Sequence, residues 1–409
     1  RTSSHFFYYT DIAMFQSIER RPPDPILGLS AAYKNDTNPK KVDLGVGVYK
    51  DEAGNCPVMK AVKTAENKLW QTEDSKSYIA QAGPELFIKH TAQLLLGADS
   101  SALRDNRVAT VLAPGGSGSL RVAAEFVARN YPDTRIFVSD PTWNNHIPLL
   151  GSAGLKLELY PYYDYVSHQI KFDQMMSKLK NAGKGDLVLI HGCCHNPCGA
   201  DLTHSMWEAL ADAALKQGFT PFIDLAYQGL GDGLDEDVYG LRLLAKTLPE
   251  VIVASSNSKN FGLYRERTGA VMVIADSATA AEAAASQVVG TAREMYSVPP
   301  AHGAALVAMI LDDATLRNEW DAELTEMRDR INGLRATLVN KLKAKSGNYD
   351  FSFIQKEKGM FSFLGLTPEQ VKKLIGTYSI YLVGSSRINV AGLNAANIDY
   401  TVDSILAVM

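Results

Sequence analysis

The stretch Val251-Ile-Val-Ala-Ser-Ser-Asn-Ser-Lys259-Asn-Phe-Gly-Leu-Tyr-Arg-Glu-Arg267-Thr-Gly-Ala-Val-Met-Val-Ile274 decides how this chain is read. An apolar run of strand length ends in hydroxyls; one lysine follows, then an arginine eight residues on and a second apolar run. Such short, unbroken apolar runs suit strands buried on both faces of a sheet. In open α/β sheets, the loops at the carboxyl ends of the strands hold ligands. Hydroxyls and a guanidinium around one amine suit a ligand carrying both an aldehyde and a phosphate. Pyridoxal phosphate is such a ligand: Lys259 can bond the aldehyde while Ser256 and Arg267 hold the phosphate. A lysine by itself is more often a solvated surface charge, so the reading rests on its company.

The same pattern recurs outward from this stretch. Apolar runs at 108–112, 135–138, 155–159, 187–190, 220–223, 251–253 and 270–274 alternate with helical patterns. This predicts an α/β domain with a mostly parallel seven-stranded sheet flanked by helices. One helix is expected over 203–216, with Thr203 and Ser205 able to cap it, Ser205 and Glu208 making a capping box, and Gly218 ending it. Leu316, Trp320, Leu324, Met327, Ile331, Leu334, Leu338 and Leu342 recur at steps of four and three, predicting a long helix over about 313–345. Asp312 or Asp313 caps its start and Gly347 stops it. Beyond it, 351–354 and 360–364 read as a hairpin about Lys-Glu-Lys-Gly, followed by a helix near 368–375, a strand near 379–383 and a last helix near 397–408. The expected division is an N-terminal arm (1–25), a large domain (58–330) and a small α+β domain (26–57 and 331–409), with the long helix linking the two. The arm contains Glu19-Arg-Arg-Pro-Pro-Asp-Pro25, too rich in proline for a helix interior.

The 409 residues are 46% hydrophobic and 21% charged, as in soluble globular proteins, and no apolar run reaches the length of a membrane span. A net charge of −4 offers no general attraction to nucleic acid or to an anionic membrane. Cys56, Cys193, Cys194 and Cys198 make no disulfide framework and suit a reducing compartment. Residues 1–10 hold hydroxyls and aromatics but no acid, which fits the remnant of an organelle-targeting segment as well as a start near Met14.

Four further segments place polar residues just after expected strands. Ala113-Pro-Gly115-Gly116-Ser117-Gly-Ser opens a helix whose free N–H groups suit a phosphate, although taken alone a glycine-rich tight turn is the commoner explanation. Asp140-Pro-Thr-Trp143-Asn-Asn-His146 offers a tryptophan that can lie on an aromatic ring or pack in the core. His191-Gly-Cys-Cys-His-Asn196-Pro-Cys-Gly199 holds five possible metal ligands, but zinc sites draw pairs from two separated segments, and no second pair exists. A strand end delivering Asn196 as a donor is the better reading, and no metal is expected. Phe222-Ile-Asp224-Leu-Ala-Tyr227 ends a strand on a carboxylate, which is costly there unless paired. A protonated pyridine nitrogen would pair it; a helix cap is the plainer alternative. Arg293 and Arg387 can each grip a carboxylate through paired hydrogen bonds, or make a surface ion pair.

Together these segments resemble the aspartate aminotransferase branch of the class I, fold-type I pyridoxal-phosphate-dependent aminotransferases. The likeness runs from about Pro22 to the C-terminus and is strongest at Ser258-Lys-Asn-Phe-Gly-Leu-Tyr-x-Glu-Arg267, His191-Gly-Cys-Cys-His-Asn-Pro197, Asp224-x-Ala-Tyr-Gln-Gly229 and Arg387-x-Asn-Val-Ala-Gly392. It implies amino transfer from aspartate to 2-oxoglutarate, giving oxaloacetate and glutamate. Lys259 is implied to bond the cofactor's aldehyde and later to act as general base. Asp224 keeps the ring nitrogen protonated; Asn196 and Tyr227 bond the ring oxygen; Trp143 stacks on the ring. Gly115, Gly116, Ser117, Ser256, Ser258 and Arg267 hold the phosphate, joined by Tyr78 of a second subunit. Arg387 grips the α-carboxylate, Gly47 lies over the substrate, and Arg293 of the second subunit grips the distal carboxylate. An obligatory homodimer acting on small amino and keto acids follows. Pro22-Pro-Asp-Pro-Ile-Leu-Gly28 resembles the arm of the mitochondrial branch, so a mitochondrial home is expected, with the cytoplasm as the alternative.

Departures from the pattern are Cys198 for threonine, Asn257 for an aromatic, a loose version of the segment 77–83, and Val298 for asparagine. With Ser117, Val298 is expected near the substrate pocket, which keeps a broad-specificity aminotransferase acting on aromatic amino acids as the rival reading. A pyridoxal-phosphate lyase or decarboxylase on the same fold would need no keto acid. A cofactor-binding scaffold is disfavoured by the presence of Lys259, Asp224 and Arg387 together.

Overall fold

The seven apolar runs form one sheet in the computed structural model, which describes residues 14–22, 25–347 and 349–409. Its strands are β1 (Val108–Pro114), β2 (Arg135–Asp140), β3 (Lys156–Pro161), β4 (Leu187–His191), β5 (Thr220–Leu225), β6 (Val251–Ser256) and β7 (Thr268–Ile274). Their order is β1-β7-β6-β5-β4-β2-β3. All neighbours are parallel except β7, which runs antiparallel to β1 and β6. Every residue of β4, β6 and β7 is buried, which is why their sequences show no alternation.

Alternate residues feed two cores. Val251, Val253, Met272 and Ile274 pack on one face with Phe87, Trp207 and Trp320. Ile252, Ala254, Val271 and Val273 pack on the other with Leu120, Val122 and Val127 of helix α1 (Gly115–Asn130). Each large side chain so buried stabilises the fold by roughly 1.5–3 kcal/mol. A third core joins Val42 and Leu44 to Leu338, Leu342, Ile380, Val402 and Ile405. The strand Val42–Asp43 pairs there, in parallel, with Ile380–Tyr381, shorter than the strand expected at 379–383.

Helix α2 (His204–Gln217) starts where Thr203 Oγ1 accepts the Met206 N–H and ends at Gly218 in the left-handed region. The expected Ser205–Glu208 box does not form. Thr203 takes the cap, which places Ser205 inside the first turn. Helix α3 (Ala314–Ser346) is capped by Asp313, whose carboxylate accepts from the N–H groups of Thr315 and Leu316.

The hairpin expected after α3 is absent. Residues Ser352–Lys356 form a short helix, and Phe361–Phe363 pairs antiparallel with Arg387–Asn389 instead. Phe351 and Ile354 are both buried at helical spacing. The buried guanidinium of Arg335 on α3 donates to the carbonyls of Ile354, Lys358, Gly359 and Phe361, supplying the partners that a paired strand would have given.

Of the expected arm, Met14–Ser17 forms a 3-10 turn, 18–22 has no regular element, and Pro25 opens the helix Pro25–Asn35, where a proline fits the first position. The proposed targeting remnant at 1–10 and residues 23 and 24 of the proline run lie outside the described residues. Among the described residues, no helix is long and apolar enough to cross a membrane.

Candidate active site

The register of the sheet aligns His191 with Asp224, Leu225 with Ser255, and Gly269 with both Ser256 and Ala113. The polar strand ends therefore meet along one edge. A cavity of about 240 Å³ opens there. Of the expected residues, Gly47, Gly116, Ser117, Trp143, Asn196, Asp224, Tyr227, Ser256, Ser258, Lys259, Arg267 and Arg387 line it. Ile26, His191, Cys193, Tyr264 and Phe361 also line it and were not expected.

One wall suits an anion. α1 begins at Gly115, so its free N–H groups and positive dipole end face the cavity. Gly115 has φ +70°, and a Cβ there would stand 2.3 Å from Nη2 of Arg267; only glycine lets that guanidinium approach. Arg267 donates to neutral partners, the Ser258 hydroxyl at 3.3 Å and the Tyr264 carbonyl at 2.9 Å, leaving its charge unneutralised by them. Ser256 Oγ accepts the Ser258 N–H at 3.2 Å beside it.

The opposite wall suits a cation. Asp224, next to last in β5, accepts from Nε2 of His146 at 2.9 Å. Nδ1 of His146 lies 2.7 Å from the Thr142 hydroxyl oxygen, which in turn stands 3.2 Å from Nε2 of His191. Burial alone would raise the Asp224 carboxyl. The His146 hydrogen bond and the fields of His146, His191 and Lys259 outweigh it, so the group lies below the usual carboxylate range. Burial pushes His191 down to about 3, so it is neutral at physiological pH.

Between the walls, Nζ of Lys259 stands 5.0 Å from the centre of the Tyr227 ring. Withdrawal from water pushes this amine down to about 8, with Arg267 adding to the effect and Asp224 opposing it. Burial raises the Tyr227 hydroxyl far above its ordinary value, so it stays a hydrogen-bond donor. Arg387 donates to Asn196 Oδ1 at 3.3 Å and to the Gly45 carbonyl at 2.8 Å. The turn that carries Asn196 ends at Gly199, at φ +73°, where a Cβ would lie 2.4 Å from the Phe361 carbonyl.

Tyr78 and Arg293 are not brought to this cavity: Tyr78 is 90% exposed and Arg293 is exposed on the helix Ala278–Tyr296. Val298, expected near the pocket with Ser117, does not line it either. In the 191–199 segment, His195 sits 3.1 Å from Cys198 Sγ and stacks on Tyr162. Cys193 and Cys194 approach Asp237, whose oxygens already accept the N–H groups of Gly229, Gly231 and Asp232. His146 lay in a quoted segment, but nothing in its spacing announced the contact with Asp224, 78 residues on.

The family described as aminotransferase class I and II matches residues 39–405. The chain is 47% identical over 396 residues to the aspartate aminotransferase of Haemophilus influenzae, covering 97% of this chain and 100% of that one. It is 45% identical over 394 residues to the aromatic-amino-acid aminotransferase of Pseudomonas aeruginosa, covering 96% and 98%. Its fold superposes with a TM-score of 0.95 on the aromatic-amino-acid aminotransferase of Burkholderia pseudomallei, covalently bound to pyridoxal phosphate, at 42% identity over 97% of this chain and 99% of that one.

Proposed function

The chain belongs to the class I and II aminotransferases, and on that footing we propose that it moves the amino group of L-aspartate reversibly to 2-oxoglutarate, with pyridoxal 5′-phosphate as cofactor. The observation that carries this reading is one amine of lowered proton affinity, Lys259, in a single cavity between an ionised carboxylate and an anion cradle. The residues fit the cofactor. The cradle of Gly115, Gly116, Ser117, Ser256, Ser258 and Arg267 suits its phosphate, and Asp224 suits its ring nitrogen. When bound, the cofactor supplies a ring that accepts the electrons left when the substrate's Cα loses its proton.

The chain's own groups do the rest. Lys259 would hold the aldehyde, and its amine would be the group to take the proton from the substrate's Cα. Asp224, held by His146, would keep a proton on the ring nitrogen. Tyr227 and Asn196 would donate to the ring oxygen, and Trp143 would cover the ring face. Arg387 takes the α-carboxylate through paired hydrogen bonds, beneath Gly47. Tyr78 and Arg293 are proposed to reach the site of a second copy, holding phosphate and distal carboxylate, so that the enzyme works as a homodimer. The division into arm (1–25), small domain (26–57 and 331–409) and large domain (58–330) is proposed with it. The related proteins named above are bacterial, which favours the cytoplasmic alternative over the mitochondrial one; fractionation of the source cells decides it.

Adding aspartate to the cofactor-loaded protein should bleach the yellow chromophore, and 2-oxoglutarate should restore it, with no carbon dioxide or side-chain fragment released. Borohydride reduction and peptide mapping should place the label on Lys259. A label elsewhere, or a chromophore indifferent to aspartate, rejects the proposal. The aromatic relatives and the lining Ser117 favour a second reading, side activity on aromatic amino acids. A kcat/KM for phenylalanine within tenfold of that for aspartate would establish it, and Arg293→Ala would then abolish only dicarboxylate turnover.

A further inference from the structure

Arg387 is only 6% exposed, and its hydrogen bonds go to neutral groups, an amide oxygen and a backbone carbonyl. Its Nε–H has no partner among the described residues. Burial lowers its proton affinity. Among the described residues no acid is hydrogen-bonded to it, and a desolvated guanidinium so placed is costly. An acid there would occupy the same N–H groups that a substrate carboxylate needs.

What faces the guanidinium instead is an aromatic ring. The Arg387 Cζ lies 4.3 Å from the centre of the Phe361 ring, within the range where the ring's negative face attracts a cation. Phe361 is buried and held by several neighbours. Its ring meets that of Tyr227 edge to face at 6.1 Å. Gly47 packs so close that a Cβ would stand 3.1 Å from its Cζ. Its carbonyl accepts from Arg335 at 2.7 Å and covers Gly199.

We propose that Phe361 is a positioning residue for the carboxylate grip. Its ring stands in for the missing acidic counter-ion, keeping Arg387 charged and oriented while leaving N–H groups free for the substrate's α-carboxylate. This rests on the reading of Arg387 given above.

The test uses cofactor-loaded F361L, F361M and F361Y, with succinate as a dicarboxylate that cannot react. Leucine and methionine keep an apolar side chain of similar bulk but lose the π-face; tyrosine keeps it. F361L and F361M should weaken succinate binding and raise the KM for aspartate about tenfold, with kcat falling less than about threefold. F361Y should stay within about threefold of the parent in both. Two ring-less variants guard against one failing to fold. The inference is overturned if succinate binds the ring-less variants within about twofold of the parent, if F361Y is as poor as they are, or if kcat falls while KM stays unchanged. R387A separates the two layers. If R387A also binds succinate normally, the α-carboxylate reading itself is wrong; if R387A fails and F361L does not, only the role of Phe361 is wrong.

Discussion

Lys259 is charged in water at neutral pH, and the cavity lowers that charge's stability without removing it. With the amine pushed down to about 8, the reactive neutral form grows about tenfold for each pH unit below that value and levels above it. Uptake of pyridoxal phosphate by the cofactor-free protein should follow this curve when timed by stopped flow between pH 5.5 and 9.5. A rate still climbing steeply above pH 9 would mean the amine keeps its solvent value. Asp224 acts on a different atom. Asp224→Ala removes the carboxylate while the Gly115–Arg267 cradle stays whole. Proton abstraction from aspartate, followed by single-turnover spectroscopy, should slow about 10²–10³-fold or more, while the affinity for cofactor changes less than about tenfold. Equal losses in both would place Asp224 among the phosphate-holding groups instead.

The segment from Ser352 to Phe363 shows how one element ties the site to the rest of the fold. Glu357 within it is 3% exposed, accepts from the Tyr163 hydroxyl at 2.9 Å and the Ser362 hydroxyl, and lies 3.9 Å from Arg335. Burial raises its carboxyl from 4.5 to about 7, against the pull of Ser362, Arg335 and Tyr163. The folded protein thus keeps a proton between about pH 4.5 and 7 that the unfolded chain has released, so this group's contribution to stability falls as pH rises through that window. Glutamine has no such dependence. The stability of Glu357→Gln relative to the parent should therefore improve from pH 5 to pH 8, by up to about 3 kcal/mol, as measured by denaturant unfolding. A difference that stays constant across pH would refute the shift. The same segment marks where sequence reading fails. The strands β4, β6 and β7 were legible because burial on both faces leaves an apolar run that nothing else mimics. The pattern Phe351-Ser-Phe-Ile354 fits a strand by alternation and a helix by spacing, and the deciding partner, Arg335, is far away in the chain. The site divides in the same way. Lys259, Asp224, Asn196 and Arg267 follow strands or their loops and were legible there, whereas His146, Tyr264 and Phe361 acquire their places only through tertiary contacts.

At the scale of the whole molecule, two residues assigned to the site by family likeness stand away from their own chain's cavity. Tyr78 is 90% exposed and Arg293 is exposed, and among the described residues the cavity is lined by two arginines, Arg267 and Arg387, for a phosphate and a substrate with two carboxylates. In the proposed function Arg267 is taken up by the cofactor's phosphate, which leaves Arg387 alone for the substrate. The homodimer proposed above, in which each copy lends these residues to the other, would make up the shortage. It also makes a quantitative claim. Lys259→Ala and Arg293→Ala should each leave little aspartate turnover as pure dimers. In a mixed dimer, the site on the Lys259→Ala copy lacks both its amine and its partner's guanidinium. The site on the other copy keeps its own Lys259 and receives an intact Arg293. Random exchange at equal amounts makes half the dimers mixed, each with one of two sites working, so mixing should restore about a quarter of the parent activity. If each chain built its site alone, every site in the mixture would lack one residue, and subunit exchange would restore nothing.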